Sequence, residues 1–235
     1  LWYHDALKQN GGYSIERINP NDPCSDLDNW KASIAINGGT PGLVNSVFDP
    51  SPDTLAPHIV NALTQSPTQL EVQFSEAMDS ASIVNASYIV TPTLEIGQLI
   101  IAKSPTYWVT ISFSDSIQGS QNYFLTIENA SDCSENSTDL STQFVLPETP
   151  EKGNVIINEI MYNPLTGGSD WVEIYNVSNK IIDLKGWQFA NCAYDTIANV
   201  ETIGAHIYLN PMHYIVLGKD SVFVKQHYPF HVPGT

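Results

Sequence analysis

Residues 154–187 read NVIINEIMYNPLTGGSDWVEIYNVSNKIIDLKGW, and their pattern decides the fold class. Residues 155–162 are almost wholly apolar, the pattern of a strand covered on both faces. Pro164 cannot donate to a sheet ladder and closes that strand. Gly167 and Gly168 supply the permissive backbone of a turn. Val172 and Ile174 then alternate with Trp171, Glu173 and Tyr175, the period of two of a second strand. Residues 181–184 form a third short strand that ends at Gly186-Trp187. Beyond it the strand pattern continues through 188–191, 207–209 and 213–217, and 219–228 reads as a short helix.

Upstream the same grammar repeats. Residues 58–63, 69–75, 87–91, 98–103, 107–114, 122–128 and 142–146 each read as a strand. Turns separate them at the spacing of about 8–12 residues that marks a β-sandwich. Val72, Phe74, Ile89, Val109, Ile111, Phe124 and Ile127 are its expected core. Two linkers rich in Pro with Ser, Asp or Glu, 49–56 and 148–153, bracket this block. Residues 1–48 hold a short alternating strand after Gly11-Gly12, a loop crowded with Asn, Asp and Pro at 19–29, and a turn at Gly38 to Gly42. Trp30 is the expected anchor of that loop. The reading is an all-β chain of immunoglobulin-like sandwiches in tandem.

The composition narrows the function. The chain has 235 residues, room for one large domain or two small ones. Its formal net charge is −16, with nine Lys plus Arg. That opposes a nucleic-acid partner or an anionic membrane surface, both of which need a basic face. No apolar run approaches the roughly 18–20 residues of a spanning helix. The six histidines never form HExxH, and neither Gly-x-Ser-x-Gly nor a phosphate-cradling loop occurs, so the expectation is a protein that is not an enzyme. The three cysteines, Cys24, Cys133 and Cys192, fit no zinc spacing. One pair plus a free thiol, or three unpaired thiols, both remain open.

Two motif sets resemble known modules. Ile157-Asn158-Glu159-Ile160, Asn163-Pro164, Asp170 to Asn176 and Asp183-Leu184 with Gly186-Trp187 resemble the opening of a bacterial lamin-tail domain. Gly12, Ser14, Glu16, Arg17, Trp30, Gly39 to Gly42, Asn45 and Ser46 resemble the closing segment of the same family. Phe74-Ser75-Glu76-Ala77-Met78-Asp79 is similar to the signature of a bacterial Ig-like domain of the surface-layer type. The expected plan is therefore 1–48 the C-terminal part of one lamin-tail-like domain, 57–147 an Ig-like domain, and 154–235 the N-terminal part of another. The chain then reads as a fragment, about one period of an array. Residues 1–48 are not expected to stand alone, because half a sandwich leaves an apolar face and bare strand edges in water. If complementary halves meet, the resemblance implies a Cys24–Cys192 disulfide with Cys133 left unpaired, given a Cα separation of about 4.4–6.8 Å.

Candidate sites are few. Glu159, Asp170, Glu173 and Asp183 cluster in sequence around 154–187, where hard oxygen ligands suit Ca²⁺ at a loop end; the competing reading is solvated strand and turn residues. No other cofactor is expected. Asp-Ser or Asp-Thr followed by an aliphatic or Ala recurs five times, where composition predicts roughly one match. It resembles the O-glycosylation acceptor of Bacteroidota and marks Thr54, Ser80, Ser116, Thr196 and Ser221; the competing reading is that such pairs favour turns and caps. Tyr3, Tyr13, Tyr107, Trp108, Tyr162 and Tyr175 are a sugar-stacking face or ordinary sandwich aromatics. The resemblances imply a non-catalytic piece of a large secreted or outer-membrane-associated protein, a spacer, adhesin stalk or interaction module. Its partners would be other modules or surface proteins of the same cell, with glycan contact a further option. The alternatives are an accessory region of a secreted hydrolase, or a calcium- or glycan-binding module.

Overall fold

The computed structural model describes residues 8–22, 29–101, 106–193, 196–218 and 220–228. The chain divides into two compact units, 1–117 with 122–144, and 118–121 with 145–235.

The first unit opens with a 3₁₀ turn, Lys8–Asn10, and a two-stranded antiparallel sheet of β1 (Ile15–Arg17) and β2 (Trp30–Ala32). So small a sheet has little core, and a buried carboxylate organises it instead. Glu16 is 4% exposed. Its Oε1 accepts from the Thr40 hydroxyl at 2.8 Å, and its Oε2 from the Ser46 hydroxyl at 2.7 Å and the Val47 N–H at 3.3 Å. Ser46 Oγ in turn accepts the Ile34 N–H. One side chain thereby gathers residues 33–47 around β1. Gly38 sits at φ +79° with its carbonyl accepting the Ser14 N–H, and a Cβ there would lie 1.8 Å from the Gly12 carbonyl oxygen, so only glycine fits. Trp30 is not the expected anchor. It is 36% exposed with Arg17 over its ring, and Asn29 is the buried residue, donating to and accepting from Asn19.

The sandwich follows. One sheet has the order β3 (Ile59–Ser66), β4 (Gln69–Met78), β7 (Thr106–Phe113), β6 (Ile96–Ile100). The other has β5 (Ser87–Thr91), β8 (Asn122–Glu128) and β9 (Leu140–Val145). The β3–β4, β4–β7, β6–β7 and β5–β8 pairs are antiparallel. Leu70, Val72 and Phe74 of β4 alternate inward, and Val109 and Ile111 of β7 stand in register beside Val72 and Leu70. Phe144 of the second sheet stacks on Phe113 of the first, ring centroids 6.1 Å apart, which joins the two layers. A six-residue helix, α1 (Ser80–Asn85), buries Ile83.

Two expected core residues point outward. Ile89 and Phe124 are 46% and 56% exposed. In β8 the buried parity is Tyr123, Leu125 and Ile127. Residues 123–125 are all apolar, so either parity satisfies the pattern, and packing selects the other one.

The second unit pairs β10 (Val155–Met161) with β11 (Trp171–Asn176), and β11 with β16 (Tyr214–Gly218). The short strands β12 (Ile182–Asp183) and β15 (Tyr208–Leu209) pair with each other, as do β13 (Gln188–Ala193) and β14 (Thr196–Thr202). Ile174, Ile182, Leu184 and Leu209 form the core. A helix, α2 (Ser221–His227), follows β16. The expectation of a strand covered on both faces fails for β10. Among the described residues it is an edge strand, and Ile156, Ile157 and Ile160 are 43%, 63% and 53% exposed. Ile157 and Ile160 face the same side as buried Ile174, opposite Ile174 and Val172 in register, yet the core does not reach them.

Asn176 is the polar centre of this unit and fully buried. Its Nδ2 donates to the carbonyls of Lys180 (2.7 Å), Leu209 (3.1 Å) and Asn210 (3.1 Å). Its Oδ1 accepts the N–H and hydroxyl of Ser178.

Residues 8–48 fall in the first compact unit and the 154–228 segment in the second. The cysteine expectation is corrected. Cys133 is disulfide-bonded. With three cysteines only one intrachain bridge forms, so a Cys24–Cys192 pair that leaves Cys133 free is excluded; Cys24 itself lies outside the described residues.

Leu125→Ala should cost about 3 kcal/mol in denaturant unfolding, and Phe124→Ala under about 1 kcal/mol, reversing the order the sequence pattern suggests. Asn176→Asp keeps size but loses the amide donors, and should lower stability of the second unit by about 3 kcal/mol or more at neutral pH, read by the same measurement.

Candidate functional site

The residues 74–79, FSEAMD, show how a motif divides its labour. Phe74, Ala77 and Met78 are buried. Ser75 Oγ accepts the His58 N–H at 3.0 Å. Asp79 caps α1, accepting the N–H groups of Ala81 and Ser82. The inward alternation of β4 slips between Gln73 and Met78, where the register to β7 shifts. Such irregularities re-aim side chains. Here the one re-aimed is Glu76.

Glu76 meets two other carboxylates. Asp53 comes from the linker before β3, and Asp132 from the loop between β8 and β9. Each offers an oxygen, and the three atoms lie within 4.8 Å of one another. Asp132 is 2% exposed and held rigidly. Its Oδ1 accepts the N–H groups of Ser134 and Asn136, both at 2.8 Å, and its Oδ2 accepts Asn136 Nδ2 at 2.9 Å. The same amide donates to the Asp53 carbonyl at 3.2 Å, which ties the linker to the loop. The loop is fixed to β4 and α1 by the Asp79 N–H donating to the Ser131 carbonyl and by two bonds between Ser82 Oγ and the Ser131 backbone.

Burial first, then the charges of Asp53 and Asp132, push the Glu76 carboxyl up to about 7. The trio lines a cavity of about 1150 Å³ whose wall also carries Asp22, Asp49 and Glu135, with His58 but no Lys or Arg. Convergent carboxylate oxygens are the ligand type that Ca²⁺ takes, and a proton on Glu76 is the other way to relieve the repulsion among them.

The four acidic residues expected to gather do not. Glu159 and Glu173 face each other across β10 and β11, and Asn158 Nδ2 donates to Glu173. Asp170 is exposed just before β11. Asp183 lies on β12, paired with His206 Nδ1 and accepting the Lys185 N–H. Among the described residues, Asp53, Glu76 and Asp132 are the group that converges. No local pattern marks this trio, because its members come from a linker, a strand end and a loop far apart in sequence. The one available signal is Glu76 as the charged residue in an otherwise accounted-for motif.

Of the Asp-Ser and Asp-Thr sites, Thr54 and Ser116 are exposed. Ser80 is not the exposed acceptor expected, since its hydroxyl is buried within α1's first turn. The side chains of Thr196 and Ser221 lie outside the described residues. Three of the five aspartates act as turn or cap acceptors. Asp53 takes the Leu55 N–H, Asp79 caps α1, and Asp220 takes the Phe223 N–H and caps α2. Local capping thus accounts for much of the motif excess. Of the aromatics, Tyr3 lies outside the described residues, Tyr175 stacks on Tyr214 in the second unit at 4.2 Å, and Trp108 belongs to β7 of the first.

Residues 51–146 match the family described as bacterial Ig-like domain. Residues 148–227 match the lamin tail domain. The two matches adjoin, and the strands they cover are those of the sandwich and of the second unit. No curated protein matches the sequence. Among solved structures, the N-terminal part of the bacterial S-layer protein SbsC is similar at 12% identity and a TM-score of 0.33, covering 70% of this chain and 44% of that one. Domains 1-6 of SbsC give 12% identity and a TM-score of 0.36, covering 72% and 33%. This chain spans less than half of either.

Glu16 and Glu76 make opposite pH predictions. Burial pushes the Glu16 carboxyl up, but hydrogen bonds from Ser46, Thr40 and Ser33 outweigh it and pull the group down to about 2. Its contribution to stability is present above the unfolded value of 4.5 and lost as pH falls toward 2. Glu76 is shifted the other way, so its contribution is complete below 4.5 and lost as pH rises through about 7. Urea unfolding without divalent ions should therefore show the first unit losing stability on both limbs, with Glu76→Gln flattening the upper limb alone and Glu16→Gln the lower.

Proposed function

We propose that this chain is a non-catalytic structural stretch of a large bacterial cell-surface or secreted protein, serving as spacer, stalk or protein-interaction module. The observation that carries the reading is the adjoining pair of matches, a bacterial Ig-like domain at 51–146 and a lamin tail domain at 148–227. The disulfide at Cys133 supports an oxidising compartment. The net charge of −16 suits a soluble, exposed surface and opposes nucleic acid as a partner. Its partners in this reading are neighbouring modules and other surface proteins of the same cell, and Thr54 and Ser116 are the exposed hydroxyls on which glycan would sit. A Bacteroidota source belongs to the same proposal. Antibody raised against the folded chain should label intact cells of the source bacterium; labelling that appears only after lysis refutes the surface assignment.

A second reading, a divalent-cation module, is favoured by the convergence of Asp53, Glu76 and Asp132. A cation there would join the linker to β4 and the β8–β9 loop, and stiffen the passage into the sandwich. Calorimetric titration with Ca²⁺ at a pH of about 7.5 should show binding that Glu76→Gln and Asp53→Asn each weaken by about tenfold or more, with release of less than about one proton per ion. Absence of heat in the unmodified chain removes this reading and leaves the structural one standing.

A further inference from the structure

Strand parity in the second unit gathers polar side chains on one side of the β12–β15 pair. Leu184 is fully buried, so its neighbours Asp183 and Lys185 share the opposite side. Asp183 stands in register with Tyr208, and the Leu184 N–H donates to the Ile207 carbonyl. His206 and Tyr208 therefore fall on the same outer side as Asp183 and Lys185, and their rings are 6.3 Å apart. The chain turns directly after Lys185, where Gly186 has φ +82° and its N–H is fixed to the Ile203 carbonyl.

The side chains form a relay. His206 Nδ1 meets Asp183 Oδ2 at 2.5 Å, and Lys185 Nζ meets His206 Nε2 at 2.9 Å. A carboxylate only accepts, so Nδ1 carries the ring proton and Nε2 of the neutral ring offers a lone pair, into which Lys185 donates. Asp183 is itself held, because its other oxygen accepts the Lys185 N–H at 3.0 Å. An amine thus sits against a base that a carboxylate orients, which is how a weak nucleophile is activated. Lys180 is the contrast. Its ammonium meets Glu151 Oε1 at 3.2 Å and the Thr149 carbonyl at 3.3 Å, acceptors that favour the charged form. Among the described residues Lys185 makes no ion pair. Tyr208 does not compete for the proton, since burial first and then the charge of Asp183 push its hydroxyl up and keep it a phenol. Lys185 is exposed, and the His206 and Asp183 side chains are 32% and 19% exposed, so a reagent reaches the amine from solvent.

We propose that Lys185 is a covalent modification site, an amine that accepts an acyl group from a thioester, with His206 as its base and Asp183 as the residue that positions the ring. Lys185 Nζ passes a proton to His206 Nε2, and the freed lone pair attacks the acyl carbon. A C–N amide bond forms, the C–S bond breaks, and its electron pair leaves on sulfur. The nitrogen loses two protons in all. One goes to His206, whose cation Asp183 stabilises, and then to solvent; the other leaves with the sulfur as a thiol. The amide stays on the chain, so each copy reacts once, as an acceptor. A merely structural clamp would use the same three side chains but would give Lys185 no excess reactivity.

Phenyl thioacetate added to the whole chain at a pH of about 7.5, with acetylation followed at each lysine by peptide mass spectrometry, tests this. Lys185 should react about tenfold or more faster than Lys31 and Lys152, which are exposed in the same sample. His206→Gln keeps a donor for Asp183 but supplies no base. It should bring Lys185 to within about threefold of Lys152 while Lys31 and Lys152 keep their rates. Asp183→Asn should slow Lys185 by about threefold or more on the same readout. Thermal melts check that each variant is folded, and His206→Asn takes the place of His206→Gln if the latter melts early. A Lys185 that reacts no faster than Lys152 overturns the proposal. So does a fast Lys185 whose rate the folded His206 variant leaves unchanged.

Discussion

A buried polar group must find its hydrogen bonds inside the protein, and in the second unit that demand falls on Asn176. Its amide reaches three carbonyls and accepts two donors, drawing the 178–180 turn and the 209–210 segment onto the end of β11. The Asn176 backbone takes part as well, accepting from the Met212 N–H and donating to the His213 carbonyl. The hydrophobic core of Ile174, Ile182, Leu184 and Leu209 is small, and strands β12 and β15 are two residues each. Such strands have too few ladder bonds to place themselves. The amide fixes where they lie, and burial of the leucines and isoleucines follows from that placement.

The first unit uses the same device with a different group. Glu16 occupies the centre of the 8–48 segment, and its acceptors are filled by hydroxyls and an N–H rather than by a cation. A carboxylate so surrounded favours its charged form, which is the physical content of its depressed pKa. Glu76 is the contrast, because its neighbours are other carboxylates and burial is not offset by donors. Two glutamates of one unit are thus driven in opposite directions by what faces them.

Much of the architecture is legible in the sequence because it rests on period-two patterns and turn residues. Strands at 87–91 and 122–128 have the bounds the pattern indicates. The reading fails where the pattern is degenerate or the information is not local. Tyr123-Phe124-Leu125 is apolar at every position, so nothing in the sequence distinguishes the inward parity. The run at 155–162 reads as doubly covered, but apolar content says nothing of whether a neighbouring strand exists to cover it. β14, at Thr196–Thr202, escapes a pattern reading because its residues carry neither clean alternation nor a bounding turn signal. The acidic trio and the pairing of Cys133 depend on which loops meet in space. Neither the resemblance nor the spacing of the cysteines contains that.

The position of Asn176 also bears on how the protein ages. Asparagine decays when the next backbone nitrogen attacks the side-chain carbonyl and closes a five-membered ring. In this fold that nitrogen, of Val177, is committed to the Asn154 carbonyl at 2.9 Å, and the side-chain carbonyl oxygen is held by Ser178. The branched Val177 side chain crowds the approach further. The folded unit therefore protects the residue it is built around, and a transient opening of the β10–β11 edge exposes it. The frequency of that opening sets a chemical clock on the working life of each copy.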